Sequence, residues 1–101
     1  MNITFPTSVL PAGLFPLGSA PVKVADLTKI PETAMTVVVR ALGTNAAPIT
    51  VAVDGCAKDA QLLPEQSVEF PLAEIDHYSF TAQSEGDAVV ITYVHPMSGS
   101  R

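Results

Sequence analysis

The sequence contains no tryptophan, a single cysteine and few charged residues. These shortages limit the kinds of protein that the chain can be. Asp, Glu, Lys and Arg make up 15% of the 101 residues, whereas about a quarter is usual for soluble domains. The lone Cys56 excludes an internal disulfide and fits a reducing compartment. No apolar run approaches the ~20 residues of a membrane helix, and no basic segment indicates a signal peptide. We therefore expect no membrane partner.

Basic residues are few and scattered, whereas the acidic residues are concentrated. Five Lys and Arg stand against ten Asp and Glu, giving a net charge of −5. This balance argues against a nucleic-acid partner, because phosphate binding needs clustered bases. Seven acids occur between residues 59 and 87 with no Lys or Arg among them: Asp59, Glu65, Glu69, Glu74, Asp76, Glu85 and Asp87. The second half of the chain is therefore predicted to present an acidic surface, which repels its own copies or meets a basic partner patch.

Catalytic arrangements are missing as well. Cys56 has His77 and His95 as its possible imidazole partners, and nothing around either histidine indicates a stabilised thiolate. One cysteine and two widely spaced histidines make no zinc motif. We therefore expect that the chain is not an enzyme and has no catalytic residues.

Calcium is the metal for which the sequence offers candidate ligands. Four acids near the ends of predicted strands are candidates for converging oxygen ligands. They are Glu74, Asp76, Glu85 and Asp87. No EF-hand spacing is present, and a solvated acidic rim is the preferred interpretation. The expectation is no metal site and no cofactor.

The first 21 residues are rich in both proline and apolar side chains. Four prolines at five-residue spacing, from Pro6 to Pro21, forbid a helix. Seven apolar residues in the same stretch are too many for a disordered tail: Ile3, Phe5, Val9, Leu10, Leu14, Phe15 and Leu17. Residues 1–21 are therefore predicted to form an extended N-terminal arm. The arm packs along its own domain or on a neighbouring subunit, and in the second case these seven residues form a protein interface.

Residues 22–95 are predicted to form one β-domain. Short segments that are rich in β-branched residues, or that alternate apolar with polar residues, recur at roughly ten-residue spacing with turns between them. The predicted strands are residues 22–27, 35–42, 49–53, 67–72, 78–82 and 88–94. The pattern indicates an all-β fold, a small antiparallel β-sandwich or barrel of about six short strands. A single helical turn fits best at residues 27–33, and residues 96–101 are predicted to be a flexible tail.

Two of the predicted strands, 35–42 and 88–94, are partly apolar on both faces. Candidates for the face turned away from the core are Val38, Leu42, Val90 and Val94. A single sheet covered on one side leaves these residues exposed, whereas the edge of a sandwich or the N-terminal arm would cover them.

Five stretches between residues 36 and 94 follow one another in a characteristic order and spacing. They are 39–45 (VRALGTN), 49–55 (ITVAVDG), 62–70 (LLPEQSVEF), 75–80 (IDHYSF) and 86–94 (GDAVVITYV). In this order they resemble a family of small β-rich phage virion proteins with capsid decoration, cement or head-fibre roles. The main departure is Glu65-Gln66, where the family tends to have Gly-Glu. The first 35 residues are not covered by the resemblance.

The resemblance implies a virion structural protein that decorates or cements the capsid through protein–protein contacts. It implies the major capsid protein as partner, a location on the capsid surface after synthesis in the bacterial host cytoplasm, and a homo-oligomer, preferably a trimer. The sequence leaves two alternatives open. One is another virion component, such as a tail or head–tail fitting, and the other is a ligand-binding or sugar-binding β-module.

Overall fold

The computed structural model describes residues 7–96, which form two antiparallel β-sheets. The strands are β1 (Thr7–Pro16), β2 (Thr36–Ala41), β3 (Ile49–Val53), β4 (Ala60–Leu62), β5 (Ser67–Pro71), β6 (Tyr78–Ala82) and β7 (Ala88–Pro96). One sheet has the strand order β1-β7-β2-β5, and the other has the order β4-β3-β6. The predicted all-β class is confirmed, with seven strands in this range.

The buried apolar residues of the described range form one cluster between the two sheets. Alternate side chains of each strand point inward, as the pleat of a β-strand requires. The largest buried side chains are Phe70, Phe80, Ile49, Ile91, Val24, Val37, Val39, Val51 and Val89. The ring of Phe70 in β5 stacks on that of Tyr78 in β6, with centroids 4.2 Å apart and planes at 12°. Because β5 and β6 belong to different sheets, this stack joins the two layers.

The described part of the N-terminal arm supplies an edge strand of the larger sheet. β1 pairs with β7 from Thr7 opposite Pro96 to Pro16 opposite Ala88, with a bulge between Pro11 and Gly13. Proline is tolerated here because an edge strand leaves one side of its backbone without ladder hydrogen bonds. This part of the arm therefore lies along its own domain.

Two local predictions are wrong. Residues 22–27 do not form a strand, since Val22 makes a single β-bridge to Phe80 and a short helix, α1 (Val24–Leu27), follows. The helical turn predicted at 27–33 therefore begins three residues earlier. The N–H of Lys23 donates to the carboxylate of Asp26 at 2.9 Å, and this contact at the helix start favours helix over strand.

The remaining elements differ less from expectation. A 3₁₀ helix (Leu72–His77) connects β5 to β6, where a turn was expected. β4 was not predicted, and its three residues are too few to show a periodic pattern. Pro96 ends β7, and residues 97–101 of the predicted tail lie outside the described residues.

Candidate protein-binding surface

The larger sheet packs one face on the core and turns the other face outward. Residues opposite one another on neighbouring strands share a face, so the outward set follows from the register. Apart from the end where Pro16 lies opposite the buried Ala88, it comprises Pro11 and Leu14 of β1, Val90, Thr92 and Val94 of β7, Thr36, Val38 and Arg40 of β2, and Ser67, Glu69 and Pro71 of β5. We call this set the outer face. Of the apolar candidates from the sequence, Val38, Val90 and Val94 belong to it.

The outer face carries little charge. Among its described residues, Arg40 and Glu69 are the charged ones, and β1 and β7 contribute none. Leu14 is 54% exposed, and it lies opposite Val90. A depression of about 320 Å³ on this face is lined by Val38, Arg40, Ser67, Val90 and Thr92. Val38, Val90 and Val94 are half-buried on this face, and its exposed apolar residues are Pro11, Leu14 and Pro71. Exposed apolar surface with little charge is typical of contact sites for other proteins.

The structure divides the seven predicted interface residues. Leu10 and Leu14 are exposed, but Leu10 lies opposite Tyr93 on the core side of the sheet. Phe15 is half-buried against the core, and Leu17 is 5% exposed within it. The side chains of the other three lie outside the described residues: Ile3, Phe5 and Val9. Of the seven predicted interface residues, Leu14 is therefore the described one that joins the outer face as an exposed side chain.

Several outer-face residues were not singled out from the sequence. Thr92 shares its face with Val90 and Val94, as the alternation within residues 88–94 indicates. Pro11 and Leu14 join that face only because β1 pairs with β7. Arg40 and Glu69 become neighbours through the pairing of β2 with β5. No local pattern in the sequence reveals these two pairings.

The four acidic residues that were considered as calcium ligands lie on two segments, the 3₁₀ helix and the turn before β7. Glu74 and Asp76 are exposed in the 3₁₀ helix, and Glu85 is exposed in the turn before β7. Within residues 7–96, no group of three or more His, Cys, Asp or Glu side chains is arranged to hold a metal ion.

Asp87, by contrast, is 6% exposed and binds the backbone of its own chain. Its two carboxylate oxygens accept the N–H groups of Ala46 and Ala47 at 2.9 Å each. Asn45 completes the contact, since its side-chain amide donates to the carbonyl of Ala88 at 2.9 Å and its oxygen accepts the Ala88 N–H at 2.8 Å. These hydrogen bonds join the loop after β2 to the start of β7.

The cysteine and the histidines hold positions at loops and strand ends. Cys56 is exposed in the turn after β3, and its N–H donates to the carbonyl of Val53 at 3.0 Å. His95 of β7 hydrogen-bonds Thr33 through Nε2 at 2.6 Å. His77 is exposed at the end of the 3₁₀ helix. The contact of His95 with Thr33 fastens the segment before β2 to the last strand.

Comparison of the chain with protein-family models, curated proteins and solved structures finds no significant match in any of the three. In the part of the chain that the structure describes, no helix is long and apolar enough to cross a membrane.

Proposed function

We propose that this protein is a structural component of a phage virion, which decorates or cements the capsid through protein–protein contacts. The observation that carries the proposal is the outer face, an exposed sheet surface with two charged residues in a chain of net charge −5. The resemblance of residues 36–94 to small β-rich virion proteins supplies the kind of partner, the major capsid protein.

The physical chemistry of the surface fits such a role. Burying apolar surface contributes about 25 cal/mol per Å², so a sheet face of this size gives modest affinity for one copy. On a closed shell the same contact is repeated many times, and the repetition gives large total stabilisation through avidity. The exposed acids outside the outer face, such as Asp59, Glu74 and Glu85, are complementary to a basic patch on a capsid protein.

The proposal is tested on purified particles that carry this protein. Quantitative mass spectrometry compares its copy number with that of the major capsid protein, and we expect comparable numbers. Six or twelve copies per particle would instead indicate a tail or head–tail fitting. Absence from the particles would refute a virion role.

A second measurement tests the cementing role directly. Particles assembled without the protein should release their genome at a lower temperature than complete particles, and adding purified protein should restore the higher temperature. Equal release temperatures with and without the protein would contradict cementing. Specific binding of the isolated protein to a glycan array would favour the sugar-binding alternative.

A further inference from the structure

We infer that the outer face pairs with the outer face of a second copy of this chain about a two-fold axis. This inference rests on the proposed virion role and replaces the trimer implied by the resemblance with a two-fold pair. In the pair, the outer face contacts the second copy, and the exposed acidic surface is left to contact the capsid protein. The occupant follows from the charges of the outer face and from the charge of the remaining surface.

The two charged residues of the outer face are placed to pair between copies. Val38 lies opposite Glu69, and Arg40 lies opposite Ser67, so Arg40 and Glu69 occupy diagonal positions on neighbouring strands. Residues in this relation lie roughly 7–8 Å apart. Both side chains are exposed, and within residues 7–96 neither makes a hydrogen bond or an ion pair. Each therefore has its charged group available to a partner.

Two-fold symmetry makes this arrangement complementary to itself. When two identical flat faces meet, a two-fold axis can lie in the plane between them. An axis that bisects the line from Arg40 to Glu69 at a right angle places each Arg40 over Glu69 of the other copy. The single arginine and the single glutamate then form two ion pairs, since every contact across such an axis is made twice. Among the described residues, the rest of the outer face brings no other charged side chain into the contact between the two copies.

The rest of the surface disfavours self-association. The outer face contributes one positive and one negative charge, so the remaining residues carry the entire net charge of −5. Copies that approached through those surfaces would bring like charges together, which is unfavourable. Pairing through the outer face avoids this repulsion and leaves the acidic surface free for a basic partner.

The size of the sheet sets the affinity of the pair. Four strands about 4.8 Å apart make the sheet roughly 20 Å wide, and β1 and β7 run about 30 Å, but β2 and β5 have six and five residues and run only about 16–20 Å. The projected area is therefore roughly 470 Å² per copy, well below the about 800 Å² that each partner of a stable interface buries. We therefore expect a weak dimer, with a dissociation constant of roughly 100 µM or above.

Sedimentation equilibrium of the isolated protein tests the pairing. Across about 10 µM to about 1 mM, the mass should rise from the 10.6 kDa of one chain toward twice that value. Arg40→Glu and Glu69→Arg, each alone, place like charges opposite one another and should weaken the dimer at least tenfold. The double variant reverses both charges and should restore it.

The matched controls make the same changes of net charge at positions outside the outer face. Lys58→Glu and Glu85→Arg alter net charge identically at exposed turn positions outside the outer face, and the dimer should persist in both. Thr92→Lys provides an independent variant, because Thr92 is half-buried on the outer face and an unpaired ammonium there should give a monomer. Far-UV circular dichroism verifies that each variant is folded.

Three results would overturn the pairing: a monomer at every concentration, a trimer, or single charge reversals that leave the dimer intact. Failure of the double variant to recover the dimer would refute the Arg40–Glu69 contact that defines the axis. A monomer that still decorates particles refutes the pairing alone. A dimer that is absent from purified particles refutes the virion role alone.

Discussion

At the scale of single residues, the turn before β5 shows a backbone conformation that its sequence does not favour. Glu65 has φ of 72° and is the non-glycine residue with positive φ in the described range. The N–H of Gln66 donates to the carbonyl of Leu63 at 2.9 Å, so Pro64 and Glu65 are the central residues of a β-turn. Proline followed by a residue with positive φ is the arrangement of a type II turn, which favours glycine at the second position.

We expect Glu65→Gly to raise the free energy of unfolding by about 1 kcal/mol, because glycine adopts positive φ without the steric conflict of a Cβ atom. Glu65→Ala is the matched control, since it removes the same carboxylate and keeps the Cβ. Urea denaturation measures both variants. An equal gain from alanine would assign the effect to the carboxylate instead of the backbone.

At the scale of elements, the N-terminal arm is divided between the surface and the core. Leu14 in β1 is 54% exposed on the outer face, while Leu17, just after β1, is 5% exposed. The N–H of Leu17 also donates to the carbonyl of Asp87 at 2.9 Å. One leucine is therefore available to a partner, and the other belongs to the fold of its own chain.

The same substitution at these two leucines should have different effects. Leu17→Ala should lower the free energy of unfolding by about 2–4 kcal/mol, because it removes buried methyl groups and leaves a cavity. Leu14→Ala should change it by less than about 0.5 kcal/mol. Chemical denaturation of both variants, at concentrations well below the dissociation constant of the proposed pair, provides the comparison. Similar losses at both positions would contradict the placement of Leu14 on an exposed face of its own chain.

The elements that could be predicted from the sequence are those whose pattern is local. β2, β3, β5, β6 and β7 alternate apolar and polar residues or are rich in β-branched side chains, and each was predicted within about two residues. β1 was predicted as an extended arm because its prolines oppose regular structure, and its pairing with β7 at the far end of the chain makes it a strand. Residues 22–27 alternate like a strand, but the contact of Lys23 with Asp26 begins a helix.

The candidate surface could be predicted only in part, because it depends on strand pairing that no local pattern in the sequence reveals. The valines of residues 35–42 and 88–94 indicated that two strands are apolar on both faces. Which side chains share the exposed face depends on strand order, so Leu14 and Glu69 could not be assigned to it. The contact of Asp87 with Ala46 and Ala47 likewise depends on long-range packing.

At the scale of the whole molecule, the two sheets share one core, and each contains one of the two tyrosines. Tyr78 lies in β6 of the smaller sheet and Tyr93 in β7 of the larger. Both pack against the same buried cluster. Since the sequence has no tryptophan, tyrosine fluorescence can report on one sheet at a time.

We expect both sheets to unfold in one cooperative transition, as small domains with a shared core do. Tyr78→Phe leaves Tyr93 as the reporter of the larger sheet, and Tyr93→Phe leaves Tyr78 for the smaller one. In each variant, the urea midpoint from tyrosine fluorescence should equal the midpoint from far-UV circular dichroism. Separate midpoints within one variant would show that the sheets unfold independently.

The pairing of β1 with β7 also sets the order of events during synthesis. Ribosomes extend a chain at about 5–20 residues per second, so β1 leaves the ribosome several seconds before the strand that completes it. During that interval Leu14 and Phe15 belong to an apolar segment whose backbone has no neighbouring strand to pair with. Pro11 and Pro16 lack the N–H groups that a wrong strand would need. We therefore expect these prolines to limit mispairing of β1 in the nascent chain until β7 has been synthesised.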